Sequence, residues 1–188
     1  MRKTLFAVLM VSLMFSGKAF AVVVTFDDLT APPTATGYAP IGTYAGFSWS
    51  SDFYYFDSNI RSEYHKGIES APQAAFNAGG SDYVSFTSAN VFNFEEAYFT
   101  SVYWNEQDIT IEGYLSTGGW DSREIRINQT RTRYDIDLNG FDQIYISSED
   151  YFAMDNMIVT PEPGSMVLFL LGGAPMAAAL YRRKRKLS

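Results

Sequence analysis

Short segments in which apolar and polar residues alternate with a period of two dominate the middle of the chain. The clearest are residues 108–115, 123–127 and 143–146, and no long segment keeps the 3.6-residue period of an amphipathic helix. This alternation is typical of strands with one buried and one hydrated face. We predict further strands at residues 22–26, 47–50, 53–56, 83–87, 92–104, 132–137 and 152–159.

Turn sequences separate these strands, including Thr117-Gly118-Gly119 and Asn139-Gly140. Many short strands without helices predict an all-β fold, an antiparallel β-sandwich of the jelly-roll type that occupies residues 22–159 as one domain. Residues 30–44 contain three prolines and are expected to form a loop. Residues 58–77 are the least regular part, where a short helix is expected.

The N-terminus has the order of a secretory signal peptide. Arg2 and Lys3 precede an apolar run over residues 5–15, and Ala19-Phe20-Ala21 supplies a small-residue cleavage site. The apolar run is too short to span a bilayer as a helix. We therefore predict a signal helix over residues 1–21, cleaved by signal peptidase after Ala21. A buried first helix is the alternative.

The C-terminus has three parts, each with its own physical meaning. Residues 160–165 contain two prolines and predict an extended, exposed linker outside the sheet. Residues 166–181 are apolar and predict a transmembrane helix, because the 18 uncharged residues from 164 to 181 would span roughly 27 Å. The basic end, residues 182–188, would stay cytoplasmic.

Pro161-Glu162-Pro163, a short apolar stretch and an Arg-rich end together resemble the PEP-CTERM sorting signal that exosortases recognise. The resemblance implies a Gram-negative bacterium that makes extracellular polysaccharide, with signal peptidase and an exosortase as partners. The chain would be anchored in the inner membrane before processing and then reach the cell surface or the extracellular space. A plain membrane anchor behind a proline-rich hinge predicts the same topology. The sorting residues implied are Pro161, Glu162, Pro163, Arg182, Arg183, Lys184, Arg185 and Lys186.

Charge narrows the possible partners of the exported part. Residues 22–162 contain six basic and 21 acidic residues, a formal charge of −15. Such a surface repels nucleic acid at long range, so nucleic-acid binding is not expected. The chain has no cysteine, which excludes a disulfide scaffold and a thiol nucleophile.

The ends of the domain also resemble galactose-binding-like jelly rolls and carbohydrate-binding modules. The resemblance lies in Thr25-Phe26-Asp27-Asp28-Leu29, in Gly46-Phe47-Ser48-Trp49 and in residues 152–159. In many sandwiches the first and last strands come together, and the same is expected here. Asp27, Asp28, Asp155 and Asn156 would then come together, and their oxygens suit a structural Ca²⁺ ion. The alternative is that Asp27 and Asp28 only cap a strand end.

Aromatic residues make up 16% of the chain, and most are expected in the core, including Phe26, Phe47, Phe86, Phe99 and Phe152. Trp120 follows two glycines at a predicted hairpin, where an exposed indole could stack on a sugar ring. Ordinary packing is the alternative for this side chain. Weaker candidates for sugar contact are Trp49, Tyr54, Tyr55 and Trp104.

Arg131 and Arg133 share a strand face and form a second candidate ligand site, because guanidinium groups bind uronate carboxylates. Arg123 and Arg126 complete this basic cluster. Ion pairs with carboxylates such as Glu112 and Asp135 are the alternative.

Evidence for catalysis is weak. His65 is the only histidine and has no nucleophile motif near it, and Glu95-Glu96 is one of many chance acidic pairs. We expect a non-enzymatic surface or matrix protein that associates with extracellular polysaccharide. A polysaccharide-processing hydrolase is the alternative.

Overall fold

Antiparallel strands make up more than half of residues 20–162, the part of the chain that the computed structural model describes. Residues 1–19 of the predicted signal peptide, residues 163–165 of the linker with Pro163, the apolar run 166–181 and the basic end 182–188 lie outside it. Within residues 20–162, no helix is long and apolar enough to cross a bilayer. The strands are β1 (Val22–Val24), β2 (Tyr38–Pro40), β3 (Thr43–Tyr44), β4 (Phe47–Trp49), β5 (Phe53–Phe56), β6 (Ala74–Asn77), β7 (Tyr83–Ser101), β8 (Gln107–Tyr114), β9 (Trp120–Ile127), β10 (Thr132–Ser148) and β11 (Phe152–Pro161).

Two long strands, β7 and β10, connect the halves of the fold. The strand order is β2-β5-β6-β11-β7-β10-β8-β9, with β1 paired to β11 and β4 joining β3 to β7. Register shifts interrupt the β7–β10 ladder between Asp135 and Gln143, and such irregularities bend strands. The C-terminal half of β10 pairs with β8, and the C-terminal half of β7 pairs with β11. The result is a β-sandwich around one main core.

The period of two decides which side chains enter that core. On β8, Ile109 and Ile111 are fully buried, while Asp108, Thr110 and Glu112 between and beside them face outward. The predicted core residues Phe26, Phe47, Phe86, Phe99 and Phe152 are all buried, which confirms that prediction.

A second, smaller core covers the opposite face of β5, β6 and β11. Phe56, Phe76 and Ala153 point away from the main core and are buried by a 3-10 helix over Ser62–Gly67, within the segment for which a short helix is predicted. Tyr64 of that helix packs on Phe76 with ring centroids 5.3 Å apart. Gly67 lies so close to Ala153 that a Cβ atom would overlap it.

Several boundaries differ from the sequence prediction. The expected loop 30–44 contains β2 and β3, and the irregular segment 58–77 ends in β6. The predicted strands 83–87 and 92–104 form one strand that ends at Ser101, and 132–137 and 143–146 also form one strand. β11 continues through Pro161, so the first two residues of the predicted linker belong to the sheet. A proline is tolerated there because it occupies the last position of the strand.

Candidate functional site

Four aromatic side chains lie along the outer face of strands β9, β8, β10 and β7. Trp120 and Tyr83 expose 66% and 58% of their surface, and Tyr114 and Tyr145 between them are half-buried. Tyr83, Tyr114 and Tyr145 each follow or precede a buried residue on their strand. Trp120 lies directly opposite Tyr114, so all four share the hydrated face. We call this set, Trp120, Tyr114, Tyr145 and Tyr83, the aromatic track.

Strand register arranges the track as a diagonal. Trp120 lies opposite Tyr114, Tyr145 lies opposite Glu112 two residues along β8, and Tyr83 lies opposite Ser147, two residues beyond Tyr145. With strands about 4.8 Å apart and about 3.4 Å per residue, the diagonal is roughly 20 Å long. This is an extended platform and not a closed pocket.

Ring contacts hold the central tyrosines in place. Tyr145 meets Tyr114 nearly edge to face at 5.4 Å between centroids and Tyr83 at 6.0 Å. Gln143 Nε2 donates to the Tyr145 hydroxyl over 2.7 Å. Desolvation, followed by the nearby Glu112 carboxylate, raises the pKa of Tyr114, so its hydroxyl stays protonated at neutral pH.

A groove of about 580 Å³ runs beside these rings. Glu112 is the only charged side chain among the described residues that line it, and none of them is basic. Polar contacts come from hydroxyls, a carboxamide and one carboxylate. The groove therefore offers hydrogen-bond acceptors and flat apolar faces. The residues that line it are Tyr83, Glu112, Tyr114, Leu115, Ser116, Gln143, Tyr145 and Ser147.

The β8–β9 hairpin sets the position of Trp120. Gly118 and Gly119 have φ values of 105° and 121°, which side-chain-bearing residues rarely adopt. The backbone N–H of Ser116 donates to both carboxylate oxygens of Asp142 at 3.1 Å, which ties the loop to β10. Trp120 is the first residue of β9 and therefore sits beside the turn, as the sequence predicts.

The weaker aromatic candidates lie elsewhere. Trp49 and Tyr55 are buried in the main core, and Tyr54 is half-buried on the opposite sheet. Trp104 is 57% exposed in the loop after β7, where its Nε1 donates to Asp150. Sequence reasoning missed Tyr83, Tyr114 and Tyr145. Their shared position, aromatic and opposite in parity to buried neighbours, is the signal that indicates them.

The first and last strands pair, as expected for a sandwich, with Val22 opposite Val159 and Val24 opposite Met157. Asp155, just before this pairing, is fully buried. Its carboxylate accepts hydrogen bonds from the backbone N–H groups of Glu69 at 2.7 Å, Ser70 at 2.9 Å and Asn156 at 2.7 Å. Burial, with the negative charge of Asp27 adding to it, raises the pKa of Asp155 to about 7 despite these donors.

Asp27 and Asn156 lie at the same place. Asp27 accepts a hydrogen bond from the backbone N–H of Gln73 over 3.0 Å, and Asn156 Oδ1 accepts one from Ser70 Oγ over 2.9 Å. Gln73 is 2% exposed, and its Oε1 has no hydrogen-bond partner among the described residues. Asp28 instead accepts a hydrogen bond from the Tyr44 hydroxyl.

The oxygens in this cluster suit a hard cation such as Ca²⁺, which accepts carboxylate, carboxamide and backbone oxygens. In residues 20–162, however, no group of three or more His, Cys, Asp or Glu side chains is arranged to hold a metal. Any such ion would have two nearby carboxylates, Asp27 and Asp155, and would take its other ligands from neutral oxygens. The unpartnered Gln73 Oε1 fits that requirement.

The basic cluster is engaged in ion pairs. Arg131 pairs with Glu69, and Arg133 Nη2 lies 2.9 Å from a Glu96 carboxylate oxygen. Arg123 pairs with Asp121, and Arg126 pairs with Asp108 and Glu106. The partners therefore differ from the expected Glu112 and Asp135. Asp108 lies directly opposite Arg126, and Glu96 lies diagonally across from Arg133.

The residues considered for catalysis are not gathered in one cleft. Glu95 and Glu96 are consecutive on β7, so their side chains point to opposite faces. Glu95 accepts a hydrogen bond from Thr160, while Glu96 pairs with Arg133. His65 Nε2 lies 3.0 Å from the Ile60 carbonyl oxygen within the 3-10 helix region.

No protein-family model and no curated protein matches the chain. Among solved structures, it is similar to the module TmCBM61 in complex with β-1,4-galactotriose, with 12% identity, 64% of this chain and 92% of that chain covered and a TM-score of 0.38. A DUF4465 family protein from Bacteroides ovatus is similar at 9% identity, with 78% and 100% covered and a TM-score of 0.49. The CBM22-1–CBM22-2 tandem domain of Xyn10C from Paenibacillus barcinonensis is similar at 11% identity, with 76% of this chain and 45% of that chain covered and a TM-score of 0.45. At TM-scores below 0.5, these similarities carry no conclusion about the function of this chain.

Proposed function

We propose that the domain is a carbohydrate-binding module of an exported surface or matrix protein and that its binding site is the aromatic track. The observation that carries this proposal is the diagonal of four aromatic rings across four strands. Pyranose rings have apolar faces and hydroxyl edges. Exposed aromatic rings bind the faces, and neighbouring polar groups bind the edges.

The ligand of the track is a neutral polysaccharide. The Glu112 carboxylate can accept hydrogen bonds beside the rings, and the Gln143 carboxamide can both accept and donate them. Sugar hydroxyls need both kinds of partner. The same carboxylate repels an acidic sugar, and no described residue of the groove is basic. A roughly 20 Å platform favours an internal stretch of a chain over a single terminal sugar.

The proposed role is binding without chemistry. General acid and base catalysis of glycoside hydrolysis needs two carboxyl groups about 5–10 Å apart across a bound sugar. The described lining of the groove supplies one, Glu112. Polysaccharide binding without bond cleavage is therefore the function that this surface supports.

Export and sorting complete the proposal. The signal peptide over residues 1–21 would direct the chain across the inner membrane, and residues 160–188 would be recognised by an exosortase through Pro161-Glu162-Pro163 and the basic end. Pro161 and Glu162 are exposed at the end of β11, where a processing enzyme can reach them. The domain would then hold extracellular polysaccharide at the cell surface.

We further propose that Asp27, Asp155, Asn156 and Gln73 hold a structural Ca²⁺ ion. Two carboxylates close together would each be stabilised by the cation, and Gln73 Oε1 would gain a partner. The ion would join β1, β11 and the segment around Ser70. Its effect would be on stability and not on the polysaccharide, because the track lies on other strands.

The experiment is a binding titration of the purified full chain with the polysaccharide of the producing organism and with neutral β-1,4-linked hexasaccharides. Saturable binding without sugar release supports the proposal, and loss of binding in Tyr145→Ala locates the site. Tyr98→Ala, which removes a half-buried tyrosine from β7 in its other half, is the matched control. Release of reducing sugar, or an unchanged affinity of Tyr145→Ala, would contradict the proposal.

A further inference from the structure

A second cavity, of about 650 Å³, lies on the side of the fold formed by β2, β5, β6 and the 3-10 helix. Tyr38 and Tyr103 are 39% and 40% exposed at its rim. Phe76 is buried and lies within 6.1 Å, centroid to centroid, of Tyr38, Tyr54 and Tyr64. We call this cavity the tyrosine pocket; its main lining residues are Tyr38, Tyr54, Tyr64, Tyr103, Tyr151 and Arg61.

The tyrosine rings form a continuous wall. Tyr64 meets Tyr103 at 6.0 Å and Tyr151 at 6.1 Å, and Tyr103 meets Tyr151 at 5.6 Å, all edge to face. Edge-to-face contacts stabilise such clusters and hold the rings in one orientation. Gly79, which also lines the cavity, has no atom within 4 Å of the position of a Cβ, so the cavity has open space there. The cavity is therefore preformed and accessible.

Arg61 makes this pocket different from the aromatic track. Four of the six basic residues in the exported part form ion pairs, and Lys66 donates to Gln129 Oε1 over 2.9 Å. Among the six basic residues within residues 20–162, Arg61 alone has neither an ion pair nor a side-chain hydrogen bond. An unpaired cation is unexpected in a domain of charge −15, where carboxylates are abundant.

The charge of Arg61 acts on the pocket. Burial raises the pKa of Tyr64, and the guanidinium of Arg61 opposes that rise, so the two groups are within electrostatic range of each other. A planar guanidinium binds carboxylates through two parallel hydrogen bonds, and tyrosine rings stack on sugar faces. The pocket therefore combines one anion-binding group with several stacking surfaces.

We propose that the tyrosine pocket binds a single uronate sugar, with its carboxylate on Arg61 and its ring against Tyr38 or Tyr103. This site is separate from the aromatic track and does not depend on its function. The single positive charge of Arg61 can pair with the single carboxylate of one uronate sugar. A polyuronate, with a charge on every sugar, would be repelled by the net charge of −15 on the exported part, whereas an isolated uronate in a neutral chain would be bound.

The test is calorimetric titration of the full chain with two trisaccharides that differ only in the terminal sugar, glucuronate in one and glucose in the other. We expect the glucuronate form to bind at least tenfold more tightly. Arg61→Gln should remove that difference and leave the weak binding of the neutral form unchanged. Lys66→Gln, which removes one positive charge from the same segment, should retain the difference.

Four outcomes of this titration would overturn the inference, and a fifth comes from a variant of the aromatic track. The four are equal affinity for the two trisaccharides, no binding of either, an Arg61→Gln variant that binds glucuronate as the wild type does, and an equal loss in Lys66→Gln, which would indicate a general charge effect. Tyr145→Ala separates this inference from the proposed function, because it alters the aromatic track alone. Loss of glucuronate binding in Tyr145→Ala would place the uronate on the track and would also contradict the inference.

Discussion

Tyr114 on β8 and Tyr145 on β10 meet nearly edge to face, with ring centroids 5.4 Å apart, on the hydrated side of a sheet whose other side is the main core. Neither ring is needed to fill that core, where Ile111, Ile144 and Ile146 are fully buried. The pair is the centre of the aromatic track. Both rings can therefore contact a ligand without any loss of core packing.

Replacing Tyr145 should weaken polysaccharide binding by about tenfold or more, since central aromatic residues contribute over 1 kcal/mol in comparable sites. Stability should change little because the ring lies outside the core. Affinity by calorimetry and Tm by circular dichroism measure the two effects. A large fall in Tm with unchanged affinity would show that Tyr145 is structural.

Trp120→Ala should weaken binding less than Tyr145→Ala, because Trp120 lies at one end of the diagonal. Trp104→Ala is a matched control, since its indole is 57% exposed, similar to the 66% of Trp120, but lies in another loop. Quenching of tryptophan fluorescence on adding polysaccharide should persist in Trp104→Ala and diminish in Trp120→Ala. The reverse pattern would move the site to the loop after β7.

Chelation should destabilise the chain if the proposed Ca²⁺ centre exists. An ion at about 100 times its Kd adds roughly 2.7 kcal/mol, which corresponds to a rise in Tm of about 5–10 °C for a domain of this size. Asp27→Asn should abolish the rise, and Asp82→Asn, an exposed loop acid, should retain it. An identical Tm with calcium and with chelator would eliminate the centre.

In chelator, Asp155 should make the chain less stable as the pH rises. Its pKa is about 7 when folded against an ordinary 3.8, so between these values the folded state holds a proton that the unfolded state lacks. The contribution of Asp155 to the free energy of unfolding is complete below about pH 4 and is lost as the pH rises through 7. The slope is up to about 1.4 kcal/mol per pH unit. Urea unfolding across this range measures it, and Asp155→Asn should flatten the slope. If the stability of the wild type instead rose with pH over this range and that of Asp155→Asn did not, the prediction would be contradicted.

Gly113→Ala should destabilise the fold by about 1–3 kcal/mol, because a Cβ atom at Gly113 would lie 2.5 Å from the Phe141 ring. Ser122→Ala on the neighbouring strand should have little effect. Urea midpoints of both variants measure the difference. Equal midpoints would mean that Phe141 moves aside without cost.

Much of the fold follows from the period of two in the sequence. The alternation in β8 correctly predicts that Ile109 and Ile111 are buried and that Glu112 faces outward. β6 escapes detection because all four of its residues are buried, so it shows no alternation. The strands β7 and β10 appear as two strands each in the sequence because their bends break the pattern.

The candidate site is predicted only in part. Trp120 stands out because two glycines precede it, but Tyr83, Tyr114 and Tyr145 come from three strands that are adjacent only in the folded sheet. No local pattern in the sequence gives that adjacency, since strand order depends on long-range pairing. Arg61 also gives no signal in the sequence. Which basic residues form ion pairs, and which one does not, is seen only in the folded structure.

The most direct test of the central claim compares the wild-type chain with Tyr145→Ala and Tyr98→Ala in titrations with the producing organism's neutral polysaccharide. The proposed function predicts saturable binding without sugar release, weakened about tenfold in Tyr145→Ala and unchanged in Tyr98→Ala. Equal affinities for all three proteins, or no binding by the wild type, would contradict it.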